Sequence, residues 1–217
     1  MSHSVVGWYG KLPALGDFAS RRLPTSFIVP WDAWLQHNII HSRLQLGDKW
    51  LDHYLGSPLW RFVIGSSVVD ESAWCGLLLP SVDRVGRYFP LTLALSPTLM
   101  PASSADTYTV LDWLESLAVA ALVGLEPQTT PDVFDQRLAE LPWPLSGATT
   151  PLAASPPQHV GNLDGLCNDL LTYGTQQNAG ILHGHSVWWR EDTPTGGYVW
   201  QACTGLPDID TYIQMLT

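Results

Sequence analysis

The segment from residue 80 to residue 90 concentrates side chains that could bind a partner. It reads Pro-Ser-Val-Asp-Arg-Val-Gly-Arg-Tyr-Phe-Pro and joins two apolar runs. Because proline cannot donate to a sheet ladder, the two prolines predict strand ends with a loop between them. Loops held by a rigid scaffold are frequent places for function. Asp83 and the two arginines therefore either contact a partner or, as the alternative, pair locally with one another.

A second loop of matching character lies near the start of the chain. Residues 10–18 read Gly-Lys-Leu-Pro-Ala-Leu-Gly-Asp-Phe, and two adjacent arginines follow. Glycine and proline restrict the backbone, while arginine and aromatic side chains are frequent hot spots of protein recognition. Together the two loops predict a partner-binding surface that contains Lys11, Asp17, Arg21, Arg22, Asp83, Arg84, Arg87 and Tyr88.

This chain lacks two common enzyme motifs, the phosphate-binding loop and the nucleophile elbow. Gly10-Lys11 is not part of a phosphate-binding loop, because Val5 occupies the place of the first glycine and Leu12 that of the magnesium-binding hydroxyl. The G-x-S-x-G nucleophile elbow is absent from the sequence. The sequence therefore indicates no nucleotide chemistry and no serine esterase.

Histidines give a further pattern that could do chemistry. His37 and His41 have helical spacing but lack the intervening glutamate that a zincin uses as its base. His183 and His185 could form a metal-like cluster with Asp192, although a polar strand end is the favoured interpretation. We therefore expect no enzymatic activity, cofactor or metal, and keep a metal- or histidine-dependent hydrolase as the alternative.

The elements that position these residues alternate between groups of strands and groups of helices. Strands are predicted at 5–9, 59–66, 74–79 and 89–95, with a hairpin of 186–190 and 198–202 across 193–197. Helices are predicted from Pro30 to about Leu46, then at 50–55, from 106 or 107 through 121, and at 131–141, 164–173 and 208–216.

Short turns between consecutive strands favour antiparallel pairing. The run 74–79 is continuously apolar, which predicts a central strand buried on both faces. The sequence thus predicts an α/β protein of the α+β type. It would be one domain over residues 1–217, with a mainly antiparallel sheet of five or six strands packed by helices. The proline-rich stretch 142–161 is expected to be a surface connection.

Composition and charge exclude several classes of partner. The net charge is −10, and it is divided unevenly, with +1 in residues 1–100 and −11 in residues 101–217. So acidic a chain is a poor candidate for binding nucleic acid or an anionic membrane. The 11 tryptophans are expected to be core anchors that place their N–H groups on partners. No signal peptide, membrane span or disulfide framework is predicted, so we expect a cytoplasmic location.

The ordered blocks in the first half of the chain resemble the TagF (ImpM) family of type VI secretion accessory proteins. The first block joins Gly7-Trp8-Tyr9-Gly10-Lys11-Leu12-Pro13 to Gly16-Asp17-Phe18. The later blocks are Trp31-Asp32-Ala33-Trp34-Leu35, Trp50 and Tyr54, Ser57-Pro58-Leu59-Trp60-Arg61-Phe62, and the whole of 80–92. The resemblance covers residues 7–95 most strongly and the second half more loosely.

The resemblance implies a non-enzymatic regulator that represses type VI secretion after translation. Its implied partner is the forkhead-associated scaffold protein of the secretion system, with other cytoplasmic or membrane-complex subunits as further candidates. A structural component that remains in the assembled secretion machine is the second alternative.

Overall fold

A computed structural model describes residues 5–97, 99–101, 103–145, 182–192 and 196–217. The strands are β1 (Gly7–Lys11), β2 (Phe18–Arg21), β3 (Trp60–Ile64), β4 (Trp74–Leu79), β5 (Leu91–Leu95), β6 (His185–Asp192) and β7 (Gly197–Thr204). The helices are α1 (Thr25–Leu46), α2 (Trp50–Gly56), α3 (Ser104–Gly124), α4 (Pro131–Ala139) and α5 (Ile209–Leu216), with a 3₁₀ turn at Gly47–Lys49.

The seven strands form one antiparallel sheet in the order β2-β1-β5-β4-β3-β6-β7. β4 is the middle strand, and all six of its residues are buried, which confirms the prediction of a central strand. The α+β class with an antiparallel sheet is also confirmed. The sheet has seven strands where five or six were predicted, because β2 was not anticipated.

Helices cover both faces of the sheet and give the molecule two hydrophobic layers. On one face α3 and α4 pack through residues such as Leu114 and Phe134 against strand residues that include Trp8 and Leu77. The other face is covered by α1, α2 and α5, whose buried members include Trp31, Tyr54 and Tyr212. The 80–90 loop therefore connects two strands, β4 and β5, whose residues are all buried.

α1 begins five residues before its predicted start. Pro24 is the N-cap, and its carbonyl accepts hydrogen bonds from the N–H groups of Phe27 and Ile28. Burial of Phe27 stabilises this additional turn, so Pro30 lies inside the helix rather than at its first position. The other helices and strands that are described agree with their predicted positions to within a few residues.

Aromatic side chains dominate the layer beneath α1. Trp31 packs at ring-centroid distances of 4.9 Å from Trp34, 5.2 Å from Phe62 and 6.0 Å from Trp188. Nine of the 11 tryptophans donate their indole N–H to an acceptor among the described residues, and Trp189 and Trp200 are the other two. These nine tryptophans act as the predicted anchors.

Several predictions fall on residues that the structure does not describe. These are the helix at 164–173, most of the proline-rich stretch 142–161, and the centre of the turn between β6 and β7. In the described part of the chain, no helix is long and apolar enough to cross a membrane.

Candidate functional site: a loop pair ordered by a buried carboxylate

The carboxylate of Asp83 is the centre of the 80–90 loop. Its Oδ2 atom accepts hydrogen bonds from Lys11 Nζ at 2.6 Å and from Arg87 Nε at 2.7 Å. The side chain of Asp83 is fully buried, and that of Lys11 is almost fully buried. Two cations thus neutralise a carboxylate that has no access to water.

The other oxygen of Asp83 fixes the backbone of the loop. Oδ1 accepts from the N–H of Val85 at 3.0 Å and from the N–H of Arg87 at 2.9 Å. The backbone of Asp83 also bonds both to Arg87 and to Gly86, whose φ of +84° is favourable only for glycine. Asp83 therefore fixes the conformation of residues 83–87 from within the loop.

The hydrogen bonds to Asp83 decide its protonation state. Burial alone would raise the pKa of this carboxyl group. The hydrogen bonds from Lys11, Arg87 and Val85 outweigh that effect and hold the pKa of Asp83 far below its ordinary value. The carboxylate is therefore ionised at neutral pH.

The topology of the sheet brings Lys11 to Asp83 across 72 positions of sequence. Lys11 ends β1, and β1 lies beside β5, the strand that follows the 80–90 loop. Gly10 has a φ of +136°, and a Cβ at this position would collide with the carbonyl oxygen of Pro90. The ammonium group also lies 4.2 Å from the centre of the Phe18 ring, a cation–π contact.

Hydrogen bonds join the loop of residues 10–18 to the 80–90 loop. The N–H of Arg84 donates to Leu15 O at 2.7 Å, and Arg87 donates to the carbonyl of Gly16. Arg87 also lies 3.8 Å from the carboxylate of Asp17. The two loops therefore form one continuous surface, whose exposed side chains are Asp17, Phe18, Arg84, Val85 and Arg87. We name these five residues the paired-loop surface.

Arg84 differs from the other cations of this region. Its side chain is exposed, and no carboxylate among the described residues pairs with it. Val85 beside it is also exposed. A cation and an apolar side chain thus project together from a backbone that Asp83 holds in place.

Tyr88 supports the loop from below rather than projecting from it. Its half-buried ring packs against Trp50 and Tyr54 of α2. The hydroxyl of Tyr54 donates to Ser81 O at 2.8 Å and accepts from Ser81 N at 3.0 Å. The start of the loop is therefore attached to α2 by hydrogen bonds and by aromatic contacts.

Arg21 and Arg22 lie away from the paired-loop surface, at the far end of β2. Arg21 pairs with Asp132 at 2.8 Å, and Arg22 pairs with Asp135 at 2.7 Å, both on α4. Burial raises the pKa of Asp135, but hydrogen bonds from Arg22 and Trp8 more than compensate and lower it overall. These ion pairs attach the edge of the sheet to a helix.

The placement of Lys11 and Asp83 corrects part of the sequence-based prediction. Both side chains are buried, so neither can contact a partner in this conformation. Both side chains order the loop. For Asp83 this is the alternative that the sequence offered, local pairing instead of a partner contact. Sequence reasoning also left Phe18 and Val85 out of the surface, although both lie within the loops that it selected. The other predicted partner contacts remain predictions: Asp17, Arg21, Arg22, Arg84, Arg87 and Tyr88.

The histidines do not assemble into a catalytic centre among the described residues. His37 and His41 stack on the exposed side of α1 with ring centroids 4.0 Å apart. His183 Nδ1 lies 3.0 Å from Ser66 Oγ, a contact that joins the end of β3 to the start of β6. The described parts of the chain contain no group of three or more His, Cys, Asp or Glu residues arranged to hold a metal ion.

The fold and its ordered loop pair place the chain in a defined class. It is a type VI secretion-associated protein, because a family model described as the TagF N-terminal domain, type VI secretion system-associated, matches residues 7–141. The match includes both loops of the paired-loop surface and more than half of the chain. The protein therefore belongs to the TagF family, as the resemblance of residues 7–95 predicted.

A solved structure extends the similarity beyond the matched domain. The crystal structure of PA0076 from Pseudomonas aeruginosa PAO1 is 36% identical, with a TM-score of 0.74. The alignment covers 98% of this chain and 94% of PA0076. No curated protein matches the chain.

Proposed function

We propose that this protein represses type VI secretion after translation by binding a scaffold or machine protein through the paired-loop surface. It acts in the cytoplasm and without catalysis. The proposed partner is the forkhead-associated scaffold protein of the secretion system. Membership of the TagF family supports the association with type VI secretion, and the architecture of the loops supports a binding role.

The observation that carries this proposal is the ordered presentation of Arg84 and Val85. Both side chains are exposed, while the N–H of Arg84 donates to Leu15 O and the N–H of Val85 donates to Asp83 Oδ1. A loop that is already ordered loses little conformational entropy on binding, which increases affinity. An unpaired guanidinium beside an apolar side chain fits a partner segment in which a carboxylate adjoins an apolar residue.

A charge reversal at Arg84 tests the proposal without disturbing the loop. Arg84→Glu removes the exposed cation and leaves the bonds of Asp83 to Lys11 and Arg87 in place. We expect the dissociation constant for the purified scaffold protein to rise by about tenfold or more, with an unchanged melting temperature. In cells the variant should no longer repress secretion of an effector.

Arg137→Glu is the matched control. Arg137 is an exposed arginine on α4, and no carboxylate in the described structure pairs with it. This variant changes the net charge equally, so it should bind and repress like the unmodified protein. Equal binding by the Arg84→Glu variant and the unmodified protein would overturn the proposed surface. Recovery of the chain in assembled secretion machines from active cells would instead favour a structural component.

A further inference from the structure

Two histidines lie next to each other on the exposed side of α1. His37 and His41 are four residues apart, so they are neighbours on one face of the helix. Both side chains are exposed, and their ring centroids are 4.0 Å apart with 30° between the ring planes. No ion pair among the described residues includes either ring. The pair is therefore open to a ligand that approaches from solvent.

A hydrogen bond decides which nitrogen of His41 can bind a ligand. Its Nδ1 atom lies 2.7 Å from the carbonyl oxygen of His37. Because a carbonyl oxygen only accepts, Nδ1 carries the proton, and in the neutral ring the free lone pair is on Nε2. Metal-ligating histidines have this same arrangement, since their second ring N–H donates to a carbonyl or a carboxylate. The ring of His41 is therefore held with Nε2 free to bind a metal ion.

The spacing of the two rings suits a single metal ion. With metal–nitrogen bonds of about 2.0–2.1 Å, two nitrogens on one ion lie about 2.9–3.4 Å apart. The ring centres are 4.0 Å apart, and both rings are exposed, so small rotations about the soft Cβ–Cγ torsions can set this separation. Histidines at i and i+4 of a helix share one zinc ion in the zincin motif. The glutamate that a zincin also needs is a catalytic base and not a ligand, so its absence leaves binding unaffected.

We propose that His37 and His41 together bind one divalent copper, nickel or zinc ion through a nitrogen of each ring. Imidazole ligands suit these ions, whereas magnesium and calcium require oxygen ligands. Residues 33–45 of the helix include no Asp or Glu, and Arg43 is the one charged residue among them. The guanidinium of Arg43 lies over the ring of Trp50, 4.1 Å from its centre. The protein ligands are therefore nitrogen atoms alone, which predicts the highest affinity for copper.

The site is open and depends on the helix. Two protein ligands are fewer than the three or four of catalytic and structural zinc sites, so water completes the coordination and the ion exchanges readily. The two rings are neighbours only while residues 37–41 are helical. The ion therefore binds the folded chain in preference to the unfolded chain and stabilises it. Neither histidine belongs to the paired-loop surface, so the site is independent of the proposed function.

Calorimetric titration of the untagged protein with copper(II) chloride is the first test. The background is His3→Ala, because a histidine beside an amino terminus can bind copper on its own. We expect a dissociation constant in the micromolar range. It should rise about a hundredfold in His37→Ala and in His41→Ala, because either change removes the advantage of two linked ligands. His53→Ala on α2 is the matched control and should bind like the background protein. Equal affinity in His37→Ala and the background protein, or binding only at millimolar copper, would overturn the proposal.

Spectroscopy identifies the ligands even if a substitution disturbs α1. Electron paramagnetic resonance of the background protein with bound copper should show two nitrogen ligands, and the spectrum of His41→Ala should show one. Excess calcium or magnesium should leave the copper in place, because neither ion competes for imidazole. A spectrum of oxygen ligands alone, or displacement of copper by calcium, would assign the ion to carboxylates of this acidic chain and overturn the proposal.

Discussion

Two buried cations, Lys11 and Arg61, have side chains that are equally inaccessible, yet their partners differ. Each side chain is 4% exposed. The partner of Lys11 is Asp83, whose carboxylate is 0% exposed. The partners of Arg61 are Glu115 at 2.6 Å and Glu191 at 2.8 Å, which are 40% and 56% exposed. One ion pair is buried on both sides, while the other is buried only on the side of the cation.

The difference separates an ion pair that orders a loop from one that attaches two elements. If the Lys11 pair is broken, Asp83 becomes a buried charge with reduced compensation, which is costly. If Arg61 is removed, both glutamates remain in contact with water. Arg61 connects β3 to α3 and β6, and its Nε atom has no hydrogen-bond partner in the structure described. Its ion pairs should therefore contribute less to stability.

The largest effect should come from Lys11→Met. This change keeps the apolar stem but removes one of the two cations that neutralise Asp83. We expect the free energy of unfolding to fall by about 3 kcal/mol. This loss is at the lower end of the usual range for a broken buried ion pair, because Arg87 still pairs with Asp83. Urea denaturation measures this loss, and hydrogen exchange at Val85 should accelerate with it. A loss below that of Arg61→Met would refute the contrast between the two pairs.

A smaller effect should appear as the pH falls. Because the pKa of Asp83 is lower in the folded state, its stabilising contribution is complete above the unfolded pKa of about 3.9 and is lost as the pH falls toward the folded value. Between pH 7 and pH 3.5 the urea midpoint of the unmodified protein should therefore fall more than that of Asp83→Asn. Asp135 and Asp208, whose pKa values are also lowered, titrate in both proteins and cancel in the difference. Parallel pH profiles would contradict this assignment.

The smallest effect should come from Arg61→Met. Methionine fills much of the same buried volume, and Glu115 and Glu191 become hydrated surface carboxylates. We expect a change of about 1 kcal/mol or less in the free energy of unfolding, because a replaced ion pair often costs little. Denaturation under the same conditions as for Lys11→Met gives the direct comparison. A cost as large as that of Lys11→Met would show that exposure of the partners does not decide the outcome.

Much of the fold could be predicted because hydrophobic pattern and strand length determine it. The continuous apolar run of β4 predicted its central position, and the tryptophans predicted the core. β2 was missed because its four residues are mostly exposed and give no apolar alternation. The start of α1 was misplaced because burial of Phe27 extends the helix before Pro30. Both errors arise where tertiary contacts outweigh local preference.

The candidate site could be located but not resolved from the sequence. The sequence predicted both the 80–90 loop and the 10–18 loop as parts of a binding surface. The structure joins them through Arg84 and Arg87. The burial of Lys11 could not be predicted, because it depends on β1 lying beside β5. A lysine beside a glycine has the same sequence pattern whether it points into solvent or toward a buried carboxylate.

The aromatic layer under α1 also has an optical consequence. The indole rings of Trp31 and Trp34 are 4.9 Å apart and inclined by 46°, and Trp188 lies beside both. At such distances the electronic transitions of neighbouring rings couple, and excitation energy passes between them faster than it is emitted. The packing of α1 on the sheet therefore contributes to the near-ultraviolet circular dichroism of this protein.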